Sequence, residues 1–287
     1  MNHYRKLKAV FFQELRVMLA GSRMVTLMLL SLLFLELFGG GIRRMALAQG
    51  LVAGPWLIPC LLRDHIDSGC MAMLVVFLYS GVPLCGENQR FLLQRAGHRI
   101  WCLAQFLAIL VTAVLYPMFL FLGSLLVMLP CLTFSGAWGT AYEISANTWA
   151  DVEEYKLKGN VVSMEMIENY DPAAALLVSM LLLFLLCLLC GLFLFLVNGL
   201  THSSAGVIIL SIWAFASSFL NKMSEQKIFR MLRRISPAQW LNIENISSDP
   251  GSSGYLGTVV LMVLAGVFLM MVLSYYFVIK KKIEVEK

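Results

Sequence analysis

The chain has 287 residues, of which 60% are hydrophobic and only 14% charged, with a mean hydropathy of +0.80. A soluble domain is about half apolar and a quarter charged, and one core of this size cannot hide the surplus. The composition therefore excludes a soluble enzyme and a disordered chain. The net charge of +5 is a mild excess spread between apolar runs rather than gathered on a soluble module, so nucleic acid is excluded as a partner.

The sequence predicts an all-α, polytopic membrane protein with one transmembrane domain over 1–287. Its first segment, 1–23, reads as an amphipathic cytoplasmic helix. Leu7, Val10, Phe11, Leu15 and Met18 recur at helical spacing, while Arg5, Lys6, Lys8 and Arg16 cover other faces. Such a helix lies along a membrane surface, with Leu7, Phe11, Leu15 and Arg16 as its candidate contacts. Its basic stretch is too long for a signal peptide, and no small-residue cleavage site follows a short apolar core.

A spanning helix needs roughly 20 mostly apolar residues. Six stretches qualify, at about 24–42, 68–86, 100–129, 172–201, 203–221 and 254–279. Six spans place both termini on one side. Between the first two lies Met45–Leu62, also uncharged but interrupted by Gly50, Gly54, Pro55 and Pro59, a poor continuous helix. It reads as a hairpin or interfacial segment of the first outer loop; were it to span, every later segment would change sides. Pro130 ends the third span, leaving 130–171 and 222–253 as outer loops and 87–99 as the inner connection. The Gly-rich GSSGYLG at 251–257 lacks a P-loop lysine and reads as a loop leading into the last helix.

Orientation follows Lys and Arg. With the N-terminus inside, twelve face the cytoplasm and ten face out, a narrow margin. The first helix often dominates orientation, and five basic residues precede it against Arg43 and Arg44 immediately after, which places both termini in the cytoplasm. The discordant stretch is KMSEQKIFRMLRR at 222–234. Ile228, Met231, Leu232 and Ile235 share one helical face, and Lys227, Arg230, Arg233 and Arg234 are candidates to meet lipid or substrate headgroups. A solvated helix over a short loop, or a different local topology, gives the same pattern.

No catalytic or metal motif is evident. There is no G-x-x-x-x-G-K-[ST] and no H-E-x-x-H, and His3, His65, His98 and His202 fall in separate segments. Cys187 and Cys190 form a C-x-x-C inside LLLFLLCLLCGLFLF, with no polar neighbour to stabilise a thiolate, and read as apolar packing residues. Asn245-Ile246-Ser247 is a formal sequon of a kind common by chance. Glu36 is the exceptional charge inside an apolar run. Arg43 and Arg44 follow it, so a position near the outer interface explains it more simply than a transport role.

These parts together resemble a known arrangement. FFQELRVMLAGSRM runs straight into the first span. The second span ends in Gly86-Glu87-Asn88-Gln89-Arg90, followed by FLLQRAGHRIWCLAQF, and Ser236-Pro237-Ala238-Gln239-Trp240-Leu241 follows the fifth span. Over nearly its whole length the chain resembles an ABC-2 type export permease, the six-helix membrane subunit of an ATP-binding cassette transporter. The resemblance implies that 87–99 is a coupling helix docking into a separate ATPase subunit, with Glu87 at the position of the acidic residue that opens it. Independently, Glu87, Asn88, Arg90, Arg95 and Arg99 make this the charged inner connection that a soluble motor could grip, with Arg95 and Arg99 near the helix end that favours cations.

The resemblance further implies no cofactor on this chain, with ATP and Mg on the ATPase partner. It also implies a second permease copy or a related permease across a shared path. Uncharged walls suit a hydrophobic or amphipathic cargo such as a peptide antibiotic, a drug or a lipid. The competing readings are a non-transporting membrane scaffold or sensor and a polytopic membrane enzyme. The latter requires a polar catalytic cluster at membrane depth that the sequence does not display. A secondary transporter would carry more intramembrane ionisable groups.

Overall fold

A computed structural model describes residues 3–83, 95–147, 155, 162–219, 240–244 and 253–280. Within them the helices are α1 His3–Leu19, α2 Ser22–Gln49, α3 Leu57–Arg63, α4 His65–Tyr79, α5 His98–Met128, α6 Thr140–Asn147, α7 Met164–Asn169, α8 Pro172–Thr201, α9 Ala205–Phe219 and α10 Ser253–Lys280. Among the described residues there is no strand, only an isolated parallel bridge between Ala53 and Leu132.

Three helices are long and apolar enough to cross a membrane: α2, α5 with the 3-10 turn Leu129–Cys131 that extends it, and α8. Among the described residues, the apolar stretches of α4, α9 and α10 are shorter, Ile66–Tyr79, Ala205–Ala216 and Val260–Tyr276. At 1.5 Å per residue, the 15 residues of α4 reach only about 22 Å, short of the roughly 30 Å hydrocarbon core.

The expected second span, 68–86, is displaced. Its helix starts at His65, because Asp67 suits the positive end of a first turn, and stops at Tyr79. There Ser80 Oγ donates back to the Phe77 carbonyl at 2.9 Å, and Gly81 and Pro83 discourage continuation. A second correction concerns GSSGYLG. Ser253 already belongs to α10, so most of this glycine-rich stretch is helical rather than a leading loop.

α5 and α8 form the centre. α5 packs against α1, α2, α8 and α10, and α8 packs against α10, α9, α4 and α3. Small residues allow the close approaches, as is usual between helices in lipid. A Cβ on Gly191 of α8 would stand 2.7 Å from Ile109 of α5, and one on Gly123 of α5 would stand 2.9 Å from Leu35 of α2. Asp171 caps α8, its Oδ2 accepting from Ala174 N at 3.1 Å, and Pro172 takes the first-turn position where a missing N–H costs nothing.

The uncharged Met45–Leu62 does not form one continuous helix. Residues 45–49 complete α2, and Gly50 ends it in the left-handed conformation (φ 65°). Residues 51–56 are irregular, and α3 then turns inward with Leu57–Leu62 all buried. Irregular backbone beside lipid survives only where protein satisfies it. Here the segment 131–142 does so. Ala53 N donates to Cys131 O (2.9 Å), Thr133 N to Ala53 O (2.9 Å), Gly54 N to Trp138 O (3.0 Å) and Ala141 N to Val52 O (3.0 Å). Pro59 sits in the first turn of α3, where its lack of an N–H breaks no helical bond.

Candidate functional site

Two groups of contacts mark the two ends of the bundle. At one end lie the start of α1, the turn after α4, the start of α5 and the α8–α9 turn. At the other lie residues 51–64, 129–147, 162–171 and 240–244.

At the first end, α1 lies along α5. Its buried ridge is Val10, Glu14 and Met18, spaced four residues apart. Leu7 and Phe11 are half-buried against the same core, Leu15 is half-buried and Arg16 is exposed. The expected membrane-surface residues Leu7 and Phe11 thus pack in part against protein. The apolar side chains that α1 leaves exposed are Tyr4, Phe12 and Val17, with Lys8 Nζ 5.9 Å from the centre of the Phe12 ring.

Of the expected coupling residues, Glu87, Asn88 and Arg90 lie outside the described residues. Arg95 is exposed, and its carbonyl accepts from Lys6 Nζ at 3.3 Å. Arg99 lies beyond a break at Gly97 (φ 84°), in the first turn of α5. It does not favour the end of a preceding helix. Its charge meets the positive end of α5, so the dipole argument made for it is corrected. The basic residues Lys227, Arg230, Arg233 and Arg234 also lie outside the described residues.

The turn leading into 84–94 is held by a residue the sequence reading passed over. Asn198 of α8 is buried; its Nδ2 donates to Val82 O at 2.8 Å and its Oδ1 accepts from Gly206 N at 2.9 Å. One amide thus ties α8, α9 and the strand of chain leaving α4. Asn198→Leu is expected to leave a buried carbonyl and a buried N–H unpaired. The cost is about 2 kcal/mol, read as a lower thermal midpoint in detergent and faster amide exchange at 80–83. An unchanged midpoint and unchanged exchange refute this role.

Between the ends, the described residues form buried hydrogen-bonded and apolar contacts. Ser31 and Tyr116 hydroxyls are 3.0 Å apart, and Thr112 Oγ1 lies 3.2 Å from Tyr79 OH, which donates to Ile109 O at 3.3 Å. Cys187 and Cys190 are buried free thiols. A partly open apolar pocket lined by Val76, Cys190, Leu210 and Trp213 measures about 10 Å³, room for one water and far too little for a cargo. No His, Cys, Asp and Glu cluster suited to a metal occurs among the described residues.

At the second end, Trp56 Nε1 donates to Ala137 O (2.7 Å), Tyr142 OH to Gly54 O (3.3 Å) and Trp138 Nε1 to Tyr170 O (3.1 Å). Arg63 Nε donates to Glu244 Oε2 at 2.7 Å, Ser163 Oγ donates to Glu244 Oε1, and Asn242 Nδ2 donates to Arg63 O at 2.7 Å. This network joins α3, the start of α7 and the segment 240–244. Glu36 is paired: Arg43 holds it through two bonds of 2.5 and 2.9 Å and also donates to Val127 O at 3.1 Å.

Sequence reading also missed Glu14, although the signal was present, because Glu14 falls four residues from both Val10 and Met18 on the apolar arc. Compared with known proteins, the chain matches no family model, no curated protein and no solved structure.

Proposed function

We propose that this chain is the permease subunit of an ATP-driven exporter, driven by a separate ATPase subunit that docks on the connection 87–99. The observation that carries this reading is the braced corner from which that connection departs and to which it returns. Val82 is pinned by Asn198 to both α8 and α9, and the Arg95 carbonyl meets Lys6 of α1. A push on this connection is delivered to helices that run through the bundle, which is what a lever requires. The one carboxylate within the three long apolar helices, Glu36, is tied to Arg43, which leaves no acidic relay there for ion-driven transport. The small size of the pocket among the described residues fits a half-unit whose path forms against a second permease, related or identical. Six crossings with both termini in the cytoplasm belong to the same proposal, as does a hydrophobic or amphipathic cargo.

Purification from native membranes tests this. An ATP-binding subunit should accompany the chain, and Glu87→Arg with Arg90→Glu should weaken that association at least about tenfold, as reversed charges at a docking surface do. Intact association together with an unchanged coupled ATPase rate overturns the assignment. Binding of a partner whose ATPase rate is the same with and without this chain instead identifies a scaffold or sensor.

A further inference from the structure

Glu14 is buried at 3% exposure in a helix that otherwise lies at the surface, and the residues facing it are unusual. Trp101, 4% exposed, and Gln105, fully buried, stand opposite on α5. Trp101 Nε1 and both amide atoms of Gln105 have no hydrogen bond at standard distance, and the Glu14 carboxyl interacts with both side chains. A buried amide and indole left otherwise unpartnered are costly.

A neutral carboxylic acid answers all three atoms. Its hydroxyl can donate to Gln105 Oε1, and its carbonyl, with two lone pairs, can accept from both Trp101 Nε1 and Gln105 Nε2. An ionised carboxylate can only accept, leaving Oε1 without a donor and a charge without a counter-ion. The other titratable groups of α1 are His3, Tyr4, Arg5, Lys6, Lys8 and Arg16, those on the first turns of α5 are His98, Arg99 and Cys102, and Arg23 stands at the start of α2. Arg16 and Arg99 are exposed, and none of these groups contributes to the carboxyl's electrostatics. Trp101 also meets the Phe195 ring, 5.7 Å between centres.

We propose that Glu14 is a proton-binding site that governs the docking of α1 on α5, so that the N-terminal helix is held while Glu14 is protonated and loosened when it ionises. Burial pushes the Glu14 carboxyl up from its ordinary 4.5 to about 7, outweighing the opposing hydrogen bonds from Trp101 and Gln105. The sign follows from linkage. Docked α1 binds the proton more tightly than undocked α1, so docking is strongest below about pH 4.5. It weakens as pH rises between the two values, and is weakest and flat above about 7. The inference does not depend on the transport proposal, since it concerns two helices of one chain.

The test is amide exchange of the full-length protein in lipid nanodiscs at pH 5, 6, 7 and 8, corrected for intrinsic rates. Protection of residues 3–19 should fall ten- to a hundredfold from pH 5 to 8 in the wild type, while that of 109–128 stays constant. Glu14→Gln should hold protection constant across the range. Glu14→Leu provides the same arm should the amide variant not assemble. Equal protection of 3–19 at all pH values in the wild type overturns the proposal. So does an undiminished fall in either variant, which would place the proton elsewhere.

Discussion

Gly139→Ala is expected to lower stability by on the order of 3 kcal/mol or more, the largest loss from adding one methyl group at the end formed by 51–56 and 129–147. Gly139 has φ 100°, beyond the left-handed well that other residues sometimes occupy. An added Cβ would stand 2.9 Å from Gly54 N, 2.9 Å from Val52 O and 3.0 Å from Ala53 Cα. All three are backbone atoms, so no rotamer change relieves the overlap. They are also held in place, Gly54 N by Trp138 O and Val52 O by Ala141 N. Relief therefore means breaking the bonds that satisfy the irregular 51–56 backbone. Gly136→Ala is the control, because a Cβ there meets nothing within 4 Å, and its effect should stay within about 0.5 kcal/mol. Thermal unfolding in detergent reads both, with a drop of roughly 5 °C or more for Gly139→Ala. Exchange at 51–56 and 137–142 should rise with it. Equal midpoints for the two variants refute the argument.

The long apolar helices were legible because a run of uncharged residues in lipid has few alternatives to a helix, and punctuation marks its ends. Asp171 and Pro172 announce α8 in the sequence and cap it in the structure. Arg43 did not end α2 where its charge implied, because Glu36 lies two turns earlier on the same face and neutralises it, so the helix continues to Gln49. The inward turn of α3 was only half legible. Gly50, Gly54, Pro55 and Pro59 announced a broken helix, but nothing local says that residues 131–142, some 80 positions away, supply its missing hydrogen bonds. The candidate coupling surface was the least legible part. Glu87, Asn88 and Arg90 lie outside the described residues, and the residue that holds the turn before them, Asn198, sits in an apolar run where an amide looks incidental. Glu14 shows the reverse failure. Helical periodicity put it on the packed face, and its charge argued against that placement; the neutral acid reconciles the two.

Arg43→Leu is expected to be far more damaging than Glu36→Gln, although both remove one partner of the same pair. The two side chains lie seven residues apart on α2 and share two hydrogen bonds, with the Val127 carbonyl as a third partner for Arg43. Without Arg43, Glu36 is a carboxylate on a short stem left unpaired within an apolar helix, and the cost is about 2–4 kcal/mol. Glu36→Gln leaves Arg43 an amide oxygen and the Val127 carbonyl, and the long side chain can extend toward water, so about 1 kcal/mol is lost. Replacing both by leucine should recover most of the loss, because no charge is then stranded at membrane depth. Thermal midpoints of the four proteins in detergent close this cycle. A role for Glu36 in carrying cargo or protons predicts a different pattern, in which Glu36→Gln keeps its midpoint and abolishes flux. Purely additive losses, or a Glu36→Gln defect as large as that of Arg43→Leu, would mean that the pair is not what keeps these charges tolerable within α2.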